Sequence, residues 1–233
     1  MNREELLRVC LPDTISLNPI GDNAGEIWIE EFDGCYLKFF DSVVEIQKAD
    51  ITGLSGFGEL GEDGQPQYDT FREFLMQTFS DTEENYWKNW RELFHTSMMT
   101  EEFFRTYYEK MLTYSKYCEN QRFLVNNNLF FGNMVITEKN VGFLDWSRVA
   151  VTDWLLDFVC MDLHRPYFLI PEKLVAYFKE KEIAVEHFKE RFLCLAYYKG
   201  LDVLRWHASI DDEESCRAII KSISELEDRM NRL

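Results

Sequence analysis

The side chains that could do chemistry are concentrated between Phe123 and Asp157, where Asn126-Asn127-Asn128, Asn133 and Asp145 are set among apolar residues. Amide and carboxylate oxygens of this kind are the ligands that a hard divalent cation takes. The Asn run suits neither helix nor strand, because Asn side chains compete locally for backbone hydrogen bonds. Asn133-Met134-Val135-Ile136 then reads as a strand, Glu138-Lys139-Asn140 as a turn, and Val141-Gly142-Phe143-Leu144 as the hairpin partner. Asp145 follows directly, so a hairpin here brings Asn128, Asn133 and Asp145 to one end of a small sheet.

Helices and turns must hold that hairpin. Glu4 to Leu11 reads as a short helix ended by Pro12, and Asn18 to Gly25 as a turn-rich segment. Glu26 to Phe32, then Asp33-Gly34, then Cys35 to Phe40 has the pattern of two strands around a tight turn, with Lys38 on the second strand. Gly56 to Pro66 is a loop by its Gly and Pro content. Asp69 and Thr70 suit a helix start before Phe71, and Thr100 suits another before Glu101-Glu102-Phe103. Val149 to Asp153 leads into a helix holding Trp154, Asp157 and Phe158. Three more helical runs follow, from Pro171 to Lys181, Val185 to His207 and Asp211 to Leu233.

Composition narrows the function classes. The 233 residues are 46% hydrophobic and 15% aromatic, enough for a sizeable aromatic-rich core. A formal charge of −17 argues against nucleic acid and against an anionic membrane face as partners. It suits a cationic small-molecule ligand, although an acidic surface also serves solubility alone. The six cysteines lack C-x-x-C spacing and sit mostly in apolar surroundings, which points to reduced thiols and a cytoplasmic protein. Neither a signal peptide nor a long apolar span is evident.

Leu124-Val125-Asn126-Asn127-Asn128, then Asn133, then Leu144-Asp145-Trp146-Ser147 resemble, in order, the catalytic loop, the metal-binding Asn and the metal-binding Asp segment of the aminoglycoside phosphotransferases. Gly56-Phe57-Gly58 with Tyr68 to Phe74, and Arg165-Pro166, are similar to stretches of the hygromycin B enzymes in particular. The resemblance runs from about Ser55 to Pro166. It implies an α+β, protein-kinase-like fold, with a reduced N-terminal β lobe over residues 1–52 and a mainly helical C-terminal lobe over 53–233. It also implies ATP and Mg²⁺ as cofactors, Asn133 and Asp145 as metal ligands, Lys38 as a phosphate contact and Asp157 as a buried brace for the catalytic loop.

Two departures bear on activity. Asn128 stands where the family has its catalytic Asp, and Asn126 where it has His. The segment after Asp41 is also too short to complete an N-terminal lobe. Three readings follow: a folded relative with weak or absent phosphoryl transfer, an active phosphotransferase with a rebuilt site, or a self-associating interaction protein that forms a homodimer.

Overall fold

The computed structural model describes residues 3–11, 22–23, 29–82, 87–136 and 140–233. In chain order the elements are α1 (Arg3–Cys10), β1 (Asp22–Asn23), α2 (Ile29–Ile46), β2 (Phe57–Leu60), β3 (Pro66–Tyr68), α3 (Phe71–Thr78), α4 (Leu93–Thr96) and α5 (Glu101–Tyr114). Then come β4 (Phe123–Val125), β5 (Met134–Ile136), β6 (Val141–Phe143), β7 (Ala150–Thr152), α6 (Leu155–His164), α7 (Ile170–Glu180), α8 (Phe188–Ser209) and α9 (Glu213–Met230). The architecture is α+β, with small sheets set on a helical body.

The largest difference from expectation is α2, which replaces the hairpin expected between Glu26 and Phe40. The reason lies in the apolar spacing: Phe32, Phe39, Phe40, Val43 and Ile46 recur at helical intervals and are all buried. Asp33-Gly34 is exposed on the helix and makes no turn. Lys38 therefore lies on a helix, not on a strand. Phe32 stacks on Phe168 with ring centroids 4.4 Å apart, and Phe40 meets Phe158 and Tyr177 edge-on, so α2 packs against the helical body. Within residues 1–52 the described extended piece is β1, which pairs with β5. The expected turn at Asn18 to Gly25 lies mostly outside the described residues, as does most of the turn at Glu138 to Asn140.

The second difference is at Gly56 to Pro66. It forms an antiparallel hairpin, β2 with β3, where a loop is expected. Gly58 has φ +100°, and a Cβ there would meet the rings of Tyr68 and Phe74 at 2.8 and 3.1 Å. Such a position admits glycine alone without rearrangement.

Other local readings hold. Thr70 and Thr100 each accept a backbone N–H from three residues on, as N-caps do. Asp212 caps α9 in the same way through Ser215 N–H.

Two sheets frame the Asn run. One is ordered β1-β5-β6, and its β5–β6 hairpin pairs Met134 with Phe143 and Ile136 with Val141. The other is ordered β3-β2-β7-β4, so β7 is flanked by β2 and by β4, the strand that delivers the chain to Asn126. Beneath both, α6 and α8 are buried over most of their length. Gly200 lets α9 approach α8, since a Cβ there would lie 2.6 Å from Ile223. No helix among the described residues is long and apolar enough to cross a membrane.

Candidate active site

The Asn run is held from below by Asp157, in the first turn of α6. Its carboxylate accepts the backbone N–H of Asn126 at 3.0 Å and of Asn127 at 2.9 Å. Burial pushes this carboxyl up to about 6, although both N–H donors and Lys199 favour its charged form. The brace expected at Asp157 is therefore in place.

Each Asn has a distinct task. Asn126 reaches across to the end of β6, where its Nδ2 donates to the carbonyls of Leu144 and Asp145, both at 3.3 Å; its Oδ1 accepts Asn128 N–H at 3.1 Å. Asn127 adopts φ +60°, a conformation Asn tolerates better than most residues. Its Nδ2 donates to Glu59 and to the Arg148 carbonyl, and its carbonyl accepts Lys199 Nζ at 2.7 Å. Asn128 donates through Nδ2 to Asp145 Oδ2 at 2.8 Å, while its carbonyl accepts Asn133 Nδ2 at 3.0 Å. Asp145 turns with φ +48°, and its Oδ1 accepts Ser147 N–H at 3.1 Å.

Asn128, Asn133 and Asp145 are thus brought into one hydrogen-bonded group at the end of the β5–β6 hairpin. Lys38 is carried by α2, one turn before Ser42, whose hydroxyl accepts the Val141 N–H that opens β6. Because that position is helical, the argument that a strand presents Lys38 to phosphate no longer applies.

The donor set fits a hydrated Mg²⁺, which keeps several waters and takes one or two oxygens from protein. Asn133 and Asp145 would supply them. Among the described residues no three His, Cys, Asp or Glu side chains converge on a metal position, so a cage made wholly of such groups is not what this site offers.

Behind Asn127 lies a charge network, buried at Lys199, Asp202 and Arg205 and half-exposed at Glu59 and Arg148, that the sequence reading did not single out. Arg148 donates to Glu59 at 2.9 Å and to Asp202 at 3.1 Å; Asp202 also accepts from Arg205 at 2.8 Å. Burial works against the charge on Asp202, but Arg148, Lys199 and Arg205 outweigh it and hold the carboxyl down to about 2. The signal was present in α8: Lys199, Asp202 and Arg205 recur at helical spacing inside an apolar run, and charges so placed are buried only when paired.

A cavity of about 820 Å³ opens beside Asn128, walled by α6, α8 and α9. Trp87, Phe130, Leu163, Trp206 and Ile219 supply apolar surface, and Asn128 belongs both to this wall and to the hydrogen-bonded group around Asp145. The arrangement has two sides: oxygens suited to a cation, and a half-open cleft for a second molecule, with Asn128 between them.

No protein-family model matches the chain, and no curated protein matches it in sequence. Solved structures do. A thermostable mutant of aminoglycoside phosphotransferase APH(4)-Ia, in ternary complex with ADP and hygromycin B, superposes with a TM-score of 0.77 at 16% identity, over 96% of this chain and 80% of that one. APH(4)-Ia itself gives 0.76 at 16% identity over the same shares. A type I macrolide 2′-phosphotransferase gives 0.50 at 13% identity, over 92% of this chain and 65% of that one. This chain therefore has the protein-kinase-like fold of the aminoglycoside phosphotransferases, with a mainly helical C-terminal lobe.

Proposed function

We propose that the chain is an aminoglycoside-phosphotransferase-like protein whose phosphoryl transfer to a small-molecule hydroxyl is weak or absent. One observation carries this reading. At the position where the resembling family has its catalytic Asp, Asn128 presents an amide whose Nδ2 donates to Asp145. An amide accepts a hydrogen bond from a hydroxyl through Oδ1, but it takes up no proton at neutral pH. Loss of a positioned general base slows such reactions by roughly 10²- to 10⁴-fold.

On the nucleotide side, this reading keeps the two candidate metal ligands, while Lys38 sits on a helix. Asn133 and Asp145 would hold Mg²⁺, and Asp157 keeps the loop that carries Asn128 rigid in the absence of ligand. Bound Mg·ATP would supply the phosphoryl group and the charge neutralisation on which such transfer mainly depends. The chain's own contribution is to position: Asn128 would orient an acceptor hydroxyl arriving from the cavity, and the cavity wall would exclude water. Three ATP-dependent features implied by the family, ATP, Mg²⁺ and a small acceptor, remain together in this reading, and the proton acceptor does not.

Calorimetric titration with ATP, with and without Mg²⁺, tests it alongside a thermal melt at saturating nucleotide. A ligand at about a hundred times its Kd stabilises the folded state by roughly 2.7 kcal/mol, which for a chain of this size raises the melting temperature by about 5–10 °C. Mg²⁺-dependent binding with turnover at or near background is the expected result. Efficient transfer to an acceptor would overturn the degenerate reading, and no binding at millimolar Mg·ATP would overturn the nucleotide site itself.

A further inference from the structure

We infer that the cavity beside Asn128 takes an uncharged small molecule with a largely apolar body and a hydroxyl at one end, and that it does not take a polycation. This names the ligand class for the acceptor side of the site proposed above and rests on that reading only for the word acceptor.

The inference comes from what each charged group around the cavity is already doing. Asp202 is the carboxylate in the wall among the described residues, and both its oxygens are engaged, Oδ2 by Arg148 and Oδ1 by Arg205. Asp212 borders the cavity through its neighbours His207 and Ser215, and it accepts from both. A polyamine entering here would find these carboxylates already paired with Arg148 and Arg205 or hydrogen-bonded to His207 and Ser215. It would also face Arg148 and Lys199, two cations in the same wall. Burial of an unpaired ammonium group is strongly unfavourable, so a polycation is selected against.

An anion is not selected for either. Arg148 is bound to Glu59 and Asp202, and Lys199 donates to the carbonyl and to Oδ1 of Asn127. His164 is open to solvent on one side, but the desolvation it suffers in the wall, reinforced by Lys199, His207 and Arg165, lowers it to about 4, so the ring is neutral at physiological pH. What the wall offers is aromatic and aliphatic surface with neutral polar groups at one end. Trp206 is 47% exposed, and Phe130 lies with its ring centroid 5.5 Å from that of His164. At about 820 Å³ the volume is in the range of pockets that enclose drug-sized ligands. Asn128 Oδ1 and the His164 ring are the hydrogen-bonding groups for a ligand hydroxyl.

The test uses the full chain without nucleotide and the uncharged fluorophore N-phenyl-1-naphthylamine as probe. Ala218 is an exposed residue of α9 that lines the cavity, so Ala218→Trp fills space without disturbing the core; Ser215→Phe is the second filling variant. The expected result is probe binding with a blue-shifted emission, weakened by about tenfold or more in Ala218→Trp or Ser215→Phe at unchanged far-UV circular dichroism, and not displaced by hygromycin B at about 1 mM. Probe affinity that is unchanged in both folded variants, or displacement of the probe by hygromycin B, would overturn the proposal. Because no nucleotide is present, failure of ATP to bind leaves this result untouched, and a positive ATP titration with a failed probe titration sinks the cavity proposal alone.

Discussion

Asn128→Asp is the most informative single substitution, because the amide does the work that a cation would otherwise do. Asn128 Nδ2 lies 2.8 Å from Asp145 Oδ2. Replacing the amide nitrogen by a carboxylate oxygen puts two negative charges at that separation. Their repulsion is about 1.5 kcal/mol at the dielectric of water and about 6 kcal/mol at an effective dielectric of about 20. Asp145 is exposed, which places the pair near the lower figure once solvent screening and side-chain rotation are allowed. The lost hydrogen bond to a carboxylate adds about 1 kcal/mol at such a site. A net destabilisation of about 2 kcal/mol at pH 7.5 lowers the melting temperature by about 4–8 °C.

Two conditions should reverse it. Mg²⁺ at about 10 mM sits between the carboxylates and restores stability in the variant more than in the parent protein. Acidification to about pH 4 also restores it, because a protonated carboxyl donates to Asp145 as the amide did. The assay is a set of thermal melts at two pH values with and without Mg²⁺. Equal Mg²⁺ stabilisation of both proteins, or a variant as stable as the parent at pH 7.5 without Mg²⁺, would refute the reasoning. If the nucleotide site also survives, the same variant should gain turnover with Mg·ATP.

Asp157→Asn should show a pH-dependent penalty. The folded carboxyl titrates at about 6, above its ordinary value, so the folded state binds the proton more tightly and Asp157's contribution to stability is lost as pH rises through about 6. A neutral Asn has no such loss, so the destabilisation it causes is larger at pH 4 than at pH 7, by up to about 3 kcal/mol; urea melts at the two pH values decide this, and a pH-independent penalty counts against it. Arg191→Met removes both side-chain donors to the fully buried Asp153, held at 2.7 and 2.8 Å, and should cost about 3–5 kcal/mol at neutral pH. A loss under about 1 kcal/mol in a chemical denaturation series would show that water replaces the pair. Lys38→Met, a change on α2, should leave Mg·ATP affinity within about threefold by calorimetry, and a loss of about tenfold or more would return Lys38 to the phosphate site.

The grouping of Asn128, Asn133 and Asp145 was legible in the sequence because it is local. Asn128, Asn133 and Asp145 are close along the chain, and a hairpin of three-residue strands leaves few ways to arrange them. The cap residues Thr70 and Thr100 were legible for the same reason. The Phe32 to Phe40 segment was misread because Asp33-Gly34 imitates a hairpin turn, and the helical recurrence of buried residues shows only when the window extends to Val43 and Ile46. Gly56 to Pro66 was misread because glycines at positive φ mark a strand with close neighbours as readily as a loop. The paired charges Glu59, Arg148 and Asp202 are far apart in sequence, and their association depends on which strand flanks β7.

Asn127 ties these parts into one unit of motion. Its N–H is held by α6, its carbonyl by Lys199 of α8, and its side chain by Glu59 of β2 and by the Arg148 carbonyl just before β7. The loop therefore has no private way to open, since freeing it breaks contacts with three elements at once. A loop tied at so many points is expected to exchange its backbone hydrogens with the body of the fold and not by separate local opening. Such bracing favours a preformed contour, against which a ligand is selected by fit more than by moulding the loop around itself.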